Sequence, residues 1–309
     1  MGAQLRVYRS RIRSVQSTKK ITKAMELIAA SRIAKAQARM NAARPYADEL
    51  TRALAALGKD ASLTHPLLVG VANPKRTGIV VVTSDRGLAG GYSVNALKAA
   101  NELADRLTAE GREVVRYVIG RKGVGFYKFR HVAVADSWTG FSEQPNFADA
   151  SKATETLVSA LGATGLNDGI DELYVVYTRF HNMVSQTPTS LLVAPVKSAG
   201  EPEPEANAGS AAAAAGASLP SYDFEPEPDE LIGALLPKYV SARIFSALLE
   251  SAASESAARR RAMKSASDNA SELIRTYTRL ANQARQAEIT QEISEIVGGA
   301  DALAAAGTE

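Results

Sequence analysis

Two stretches, one near each end of the chain, contain neither glycine nor proline: 42 positions from Ala3 to Arg44, and 60 positions between Pro237 and Gly298. At about 1.5 Å per residue, unbroken helices of those lengths reach roughly 60 Å and 90 Å. Such lengths exceed what a compact domain uses. In the first stretch apolar residues recur at Leu5, Tyr8, Ile12, Val15, Ile21, Met25, Ile28 and Ile33. Steps of three and four dominate, with gaps at Thr18 and Ser31, as in an interrupted coiled-coil seam. Pro45 is expected to kink or briefly break the helix, with the pattern resuming at 47–57. The second stretch carries a seam through Ile244, Leu248 and Ala252, then Leu273, Tyr277, Leu280 and Ala284. Pro237 suits a first helical turn and Gly298 a stop. The two seams are compatible, so the helices are expected to pair antiparallel, at 1–57 and 229–298, followed by a flexible tail at 299–309.

Between them, residues 76–197 alternate strand-like and helix-like patterns. Strands are expected at Thr77–Ser84, Glu113–Ile119 and Glu172–Phe180, with weaker candidates at His131–Asp136 and Ser190–Val196. Helices are expected at Asn95–Ala109 and Phe147–Leu161. This alternation implies an α/β layer on a mostly parallel sheet, Rossmann-like in character. Residues 198–228 hold EPEPE, five consecutive alanines and almost no large apolar side chain before Leu219. Low hydrophobicity with one-sided charge reads as a disordered insertion or linker, centred on 198–220.

Charge is segregated. Residues 1–57 carry 12 Lys or Arg against three acids, whereas residues 201–230 carry eight acids and no base. The N-terminal bases spread around their helix without interleaved aromatics, so a nucleic-acid groove is not expected. With no cysteine and three scattered histidines, disulfides, thiol chemistry and a metal site are not expected either. No uninterrupted apolar run approaches the ~18 residues of a membrane span, and residues 1–14 read as neither a secretory nor a myristoylation signal. The Ser84–Asn95 segment, SDRGLAGGYSVN, is the most enzyme-like: a strand ends, glycines follow and a helix begins. It lacks both the Walker ending and dinucleotide spacing. A coiled-coil-tethered nucleotide-binding enzyme or switch is the alternative built on it. A tight turn in which Asp85 and Arg86 meet each other or a neighbour is the simpler reading. No acid/base pair elsewhere suggests catalysis.

Four segments nevertheless resemble one family. RSVQSTKKITKAMELIAAS at 13–31, SDRGLAGGY at 84–92, RRRAMKSASDNA at 259–270 and ITQEISEIVGGADA at 289–302 are similar, in order, to the gamma subunit of F-type ATP synthases. The resemblance implies an antiparallel coiled coil plus a Rossmann-like domain, and a central rotor without catalytic residues, cofactor or metal. It would couple proton-driven c-ring rotation to conformational cycling of catalytic beta subunits, at the cytoplasmic face of the membrane. The implied partners are the alpha and beta subunits, the epsilon subunit and the c-ring. Arg285, Gln286, Thr290 and Glu292 are implied to meet alpha and beta subunits. Met25 and Arg259 would lie at a lower beta contact, Arg259 pairing with partner carboxylates. Met25 reads equally as seam packing. Tyr222, Phe224 and Glu225 are implied to touch epsilon and the c-ring, or instead to staple the preceding loop. The Ala/Ser stretch 251–258 is expected to let the shaft turn without locking.

Overall fold

The structure, a computed structural model, describes residues 2–57, 68, 70, 71, 73–163, 169–196 and 228–306. The expected insertion at 198–228 therefore lies, but for its last residue, outside the described residues. The elements in order are α1 (Gly2–Leu57), β1 (Arg76–Val82), α2 (Tyr92–Ala109), β2 (Glu113–Ile119), α3 (Arg121–Phe129), β3 (Asp136–Trp138), α4 (Phe147–Gly162), β4 (Glu172–Phe180), β5 (Gln186–Ala194) and α5 (Pro228–Ala306). The chain divides into two compact units. One comprises Met1–Ile28 with Arg260–Glu309, the other Ala29–Arg259, so both terminal helices contribute to both units.

In the first unit the ends of α1 and α5 pair antiparallel. Tyr8 meets Tyr277 with ring centroids 6.4 Å apart, and Thr22 meets Ser267 through a buried hydroxyl–hydroxyl hydrogen bond of 2.7 Å. On α5 Met263, Ser267, Ala270, Ile274, Tyr277, Ala281, Ala284 and Glu288 are buried or half-buried in alternating steps of four and three, with Ala262, Ala266, Ser271, Thr276 and Leu280 half-buried beside them. On α1 the inward positions run Leu5, Tyr8, Ile12 and Val15, then Thr22, Met25, Glu26 and Ala29, with Gln16 to Ile21 all exposed between them. The gap expected at Thr18 is present, since no residue from Gln16 to Ile21 faces inward, whereas around Ser31 the inward face continues through Ala29, Ala30 and Ile33. Ile21, Ile28 and Leu273 face outward. In their place Thr22, Ala29, Ser267 and Ala270 are buried, small side chains that let the two helices approach closely at those positions.

The second unit is built on a five-stranded sheet of order β3-β2-β1-β4-β5. β1 runs parallel to β2 and β4, β2 parallel to β3, and only β5 is antiparallel. α2 and α3 cover one face through Leu97, Leu103, Leu107 and Tyr127. The opposite face packs against α1, α4 and α5 through Leu54, Leu157, Ile232, Leu236 and Leu248. α4 begins with a reciprocal cap: the Asp149 N–H donates to Asn146 Oδ1 at 2.9 Å and the Asn146 N–H to Asp149 Oδ2 at 3.1 Å.

Several boundaries differ from those expected. β3 begins at Asp136 rather than spanning His131–Asp136, because His131 turns at φ +56°. The nine-residue α3 carried no legible periodicity, since Gly123 and Gly125 interrupt it. α1 continues through Pro45. Both Pro45 and Asn41, whose carbonyl loses its helical partner there, are exposed, so water can satisfy it. α5 starts nine residues before Pro237 and runs past Gly298 to Ala306, so neither residue bounds it. By length and composition alone, α5 contains between Leu231 and Ala300 a stretch apolar enough to cross a membrane, although charged residues interrupt its apolar runs; half of it is buried in the protein.

Candidate functional site

At the carboxyl edge of the parallel strands, sequence-distant charges converge. β1 delivers Thr83, whose N–H and hydroxyl both donate to Ile119 O at 2.8 Å. Ser84 Oγ lies 2.7 Å from Ser93 Oγ, tying the loop to the first turn of α2. Asp85 then accepts three backbone N–H groups, from Arg121 at 3.1 Å, Gly140 at 2.8 Å and Ser142 at 3.0 Å. Its own N–H donates to Ser142 Oγ. Burial opposes ionisation of Asp85, but the donors at Ser142, Gly140 and Arg121 outweigh it and hold its carboxyl below the usual range. A carboxylate of the chain itself therefore occupies the anion position at the start of α3.

Beside it lies a cluster of five charged groups. Glu143, in the loop before α4, contacts Arg32 of α1, Arg86 of the glycine loop at 3.6 Å and Arg259 of α5 at 3.3 Å. Arg259 also donates to Glu255 Oε1 at 2.6 Å and reaches the Gly87 carbonyl at 3.4 Å. The Glu255 side chain is 0% exposed and that of Arg259 6%. Burial pushes the Glu255 carboxyl up despite the guanidinium beside it. Three arginines face two carboxylates, so the cluster binds four chain segments without an excess of buried negative charge.

Two expectations take a different form here. Arg259 pairs with two carboxylates of its own chain, Glu143 and Glu255. The Ala/Ser stretch 251–258 is buried or half-buried against β4 rather than presented outward: Ser254 Oγ donates to Thr178 O at 2.9 Å, and the Thr178 N–H donates to Ser251 Oγ. The glycine loop is likewise committed to protein contacts. Asp85 and Arg86 meet neighbours, as the simpler reading anticipated. The signal for this cluster was the Glu255–Arg259 pair one helical turn apart; nothing in the sequence marked Glu143.

Five of the other predicted residues, Met25, Arg285, Gln286, Thr290 and Glu292, lie on the first unit. Met25 is half-buried beside Glu26, which pairs with Lys23 at 3.0 Å. Arg285, Gln286, Thr290 and Glu292 are all exposed on α5. Sequence reasoning did not single out the apolar stripe beside them, Ile289, Ile293, Ile296 and Val297, all solvent-facing at helical spacing. Nor did it find an open groove of about 780 Å³ lined by Lys19, Lys20, Lys23, Leu27 and Ile274. Tyr222, Phe224 and Glu225 lie outside the described residues. Among the described residues, no three acidic or histidine side chains converge to hold a metal ion. What these surfaces offer is partner contact: apolar stripes flanked by cations and hydrogen-bonding groups.

Comparison with known proteins bears on which partners. The sequence matches the family described as ATP synthase over residues 4–303. It is 55% identical over 306 residues to the ATP synthase gamma chain of Frankia casuarinae, covering 98% of this chain and 99% of that one. It is 53% identical to the ATP synthase gamma chain of Acidothermus cellulolyticus, with both chains covered completely. Among solved structures, the fold is similar to a chain of the Euglena gracilis mitochondrial ATP synthase OSCP/F1/c-ring assembly. The TM-score is 0.70 at 18% identity, over 100% of this chain and 97% of that one. A chain of the Tetrahymena thermophila mitochondrial central stalk and c-ring gives 0.55 at 23% identity, over 80% of this chain and 99% of that one.

Proposed function

The chain belongs to the ATP synthase gamma-chain family, and from that premise we propose that it is the central rotor of an F-type enzyme, turning with the c-ring inside a ring of alpha and beta subunits. In this reading it is non-catalytic, and it works at the cytoplasmic face of the membrane as a peripheral component. The observation that carries the proposal is the match to gamma chains along the entire length. The antiparallel pairing of the chain's two ends is what a torsion-bearing shaft requires.

Residues 1–57 and 229–298 form the shaft, 76–197 the α/β domain, 198–228 an insertion and 299–309 a tail. Met25, Arg285, Gln286, Thr290 and Glu292 meet alpha and beta subunits. Tyr222, Phe224 and Glu225 meet epsilon and the c-ring loops. Control of a partner's site demands that the rotor bind its conformations unequally. Moving a two-state partner from 1:99 to 99:1 takes about 5.5 kcal/mol of differential contact. A hydrogen bond to a charged group contributes about 1.5–3 kcal/mol. Two to four contacts, made in one orientation and lost in the next, therefore suffice. The exposed groups from Arg285 to Glu292 supply that number.

The purified chain should show no ATPase activity. Adding it to alpha and beta subunits should produce a complex that co-elutes and hydrolyses ATP faster than the ring alone. Failure to join the ring, or ATPase activity in the isolated chain, would overturn the reading.

A further inference from the structure

α3 and the turn after it read RKGVGFYKFRH from Arg121 to His131, with four Lys or Arg and no acid. Arg121, Lys122, Gly125, Lys128, Phe129, Arg130 and His131 are all exposed, Phe129 at 85%. The inward side is fixed by Tyr127 in the core and by edge-on contact of Phe126 with Tyr127. Arg130 lies over the Phe126 ring at 4.9 Å. Arg121 approaches Asp85 only at 3.9 Å, and Lys122, Lys128 and Arg130 have no ion-pair partner among the described residues. Toward this end of the sheet Glu110 and Glu172 are engaged with Arg112, Glu113 with Arg76, Asp171 with the Lys75 and Arg76 N–H groups and Asp136 with the Ser137 N–H. Among the described residues, neither these acids nor the exposed Asp105 of α2 forms an ion pair with a cation of α3.

Topology brings a counter-charge to the same edge. α3 starts where β2 ends and returns along it, so Lys128–His131 lie at the amino edge of the parallel strands. β5 is antiparallel and ends at Ala194 opposite Leu173, near the start of β4, on that same edge. The chain therefore leaves the sheet there, and the next charged groups beyond Lys197 are Glu201, Glu203 and Glu205. β5 stands three strand spacings from β2, about 14 Å, with the helix layer about 10 Å above the sheet. The seven residues from 197 to 203 span up to about 25 Å when extended.

We propose that the exposed basic face of α3 is the docking surface for the chain's own acidic segment 201–205, which partly covers Phe129. The inference does not depend on the rotor assignment. It joins an uncompensated cationic face to an acidic segment that emerges within reach of it.

The absence of native cysteine allows a direct test on the full chain. A Cβ at Gly125 or at Gly162 meets nothing within 4 Å. Gly125 sits within the basic face, whereas Gly162 ends α4 at the same sheet edge on the opposite face. In Glu203→Cys/Gly125→Cys, disulfide formation at low salt should be about tenfold faster than in Glu203→Cys/Gly162→Cys. At 1 M salt, where the screening length is about 3 Å, the two rates should converge. Lys128→Glu/Arg130→Glu should abolish the preference, and adding Glu201→Lys/Glu205→Lys should restore it. Equal rates for the two cysteine pairs at low salt would overturn the proposal, as would a preference that survives both high salt and charge reversal.

Discussion

Glu143→Ala isolates the energetic role of the charge cluster. The Glu143 side chain is 13% exposed, and its three arginine partners differ in exposure: 6% for Arg259, 26% for Arg32 and 72% for Arg86. Removing one member of a fully buried ion pair costs about 3–5 kcal/mol, because the survivor remains charged and desolvated. Here Arg259 keeps Glu255, and Arg32 can be partly hydrated. The Arg86 contact, mostly in water, contributes about 0.5 kcal/mol or less. The expected loss is therefore about 2–3 kcal/mol, carried by Arg32 and Arg259. Trp138, the only tryptophan, stacks on Tyr117 at 6.3 Å in the same unit and reports its unfolding by fluorescence. With a urea dependence of about 2–3 kcal/mol per molar, the midpoint should fall by roughly 1 M. Arg86→Ala should move it by less than about 0.2 M. The Arg32→Ala/Glu143→Ala cycle should give a coupling energy of about 1–2 kcal/mol. A Glu143→Ala midpoint within error of the parent, or equal effects from Arg86→Ala and Arg32→Ala, would refute the claim that this carboxylate holds the four segments together.

Other substitutions test separate parts of the account. Because the folded Asp85 pKa lies below its unfolded value of about 3.9, its contribution is present above that pH and lost as pH falls through the folded pKa. Asp85→Ala should thus cost about 2 kcal/mol at pH 7, and its urea midpoint should approach the parent's near pH 2. Glu255 is raised, so its linkage has the opposite sign. Its contribution is present below the unfolded pKa and lost as pH rises through the folded one, which stability-versus-pH curves of Glu255→Gln should reveal. Gly120 has φ +99°, and a Cβ there would lie 2.2 Å from Thr83 O. Gly120→Ala should cost about 3 kcal/mol or more, whereas Gly125→Ala, helical and unobstructed, should stabilise by about 0.5–1 kcal/mol. In the first unit, Thr22→Val should cost about 1 kcal/mol by stranding Ser267, and adding Ser267→Ala should recover part of that in thermal melts.

How far the sequence disclosed all this depended on whether a feature had a period. β2 and β4 were legible to the residue because buried apolar runs bounded by turns are hard to misread. The terminal helices were legible as helices, and so were most of their inward residues, Leu5, Tyr8, Ile12, Val15, Met25 and Ile33 on α1 and Ile244, Leu248, Ala252, Tyr277, Leu280 and Ala284 on α5. Ile21, Ile28 and Leu273 look like core, but Thr22, Ala29, Ser267 and Ala270 take those places, small side chains that let the helices approach closely there. α3 and the three-residue β3 are too short to show a period, and two glycines obscured α3 further. The glycine loop's chemistry was misleading from one side only. Its amides and turns resembled an anion site, but Asp85, Glu143 and Arg259, brought together by tertiary packing, fill the surroundings with the protein's own charges. The exposed stripe from Ile289 to Val297 was hidden because an apolar helical face looks the same in sequence whether it packs internally or waits for a partner.

The most direct test of the rotor assignment is single-molecule observation. A bead would be attached through Gly125→Cys to this chain, held in a surface-anchored ring of alpha and beta subunits and supplied with ATP. The account predicts stepwise rotation in one direction, with its rate tracking hydrolysis and its steps weakened by joint Arg285→Ala and Glu292→Ala substitution. Undiminished hydrolysis by the ring while the bead stays still would contradict it.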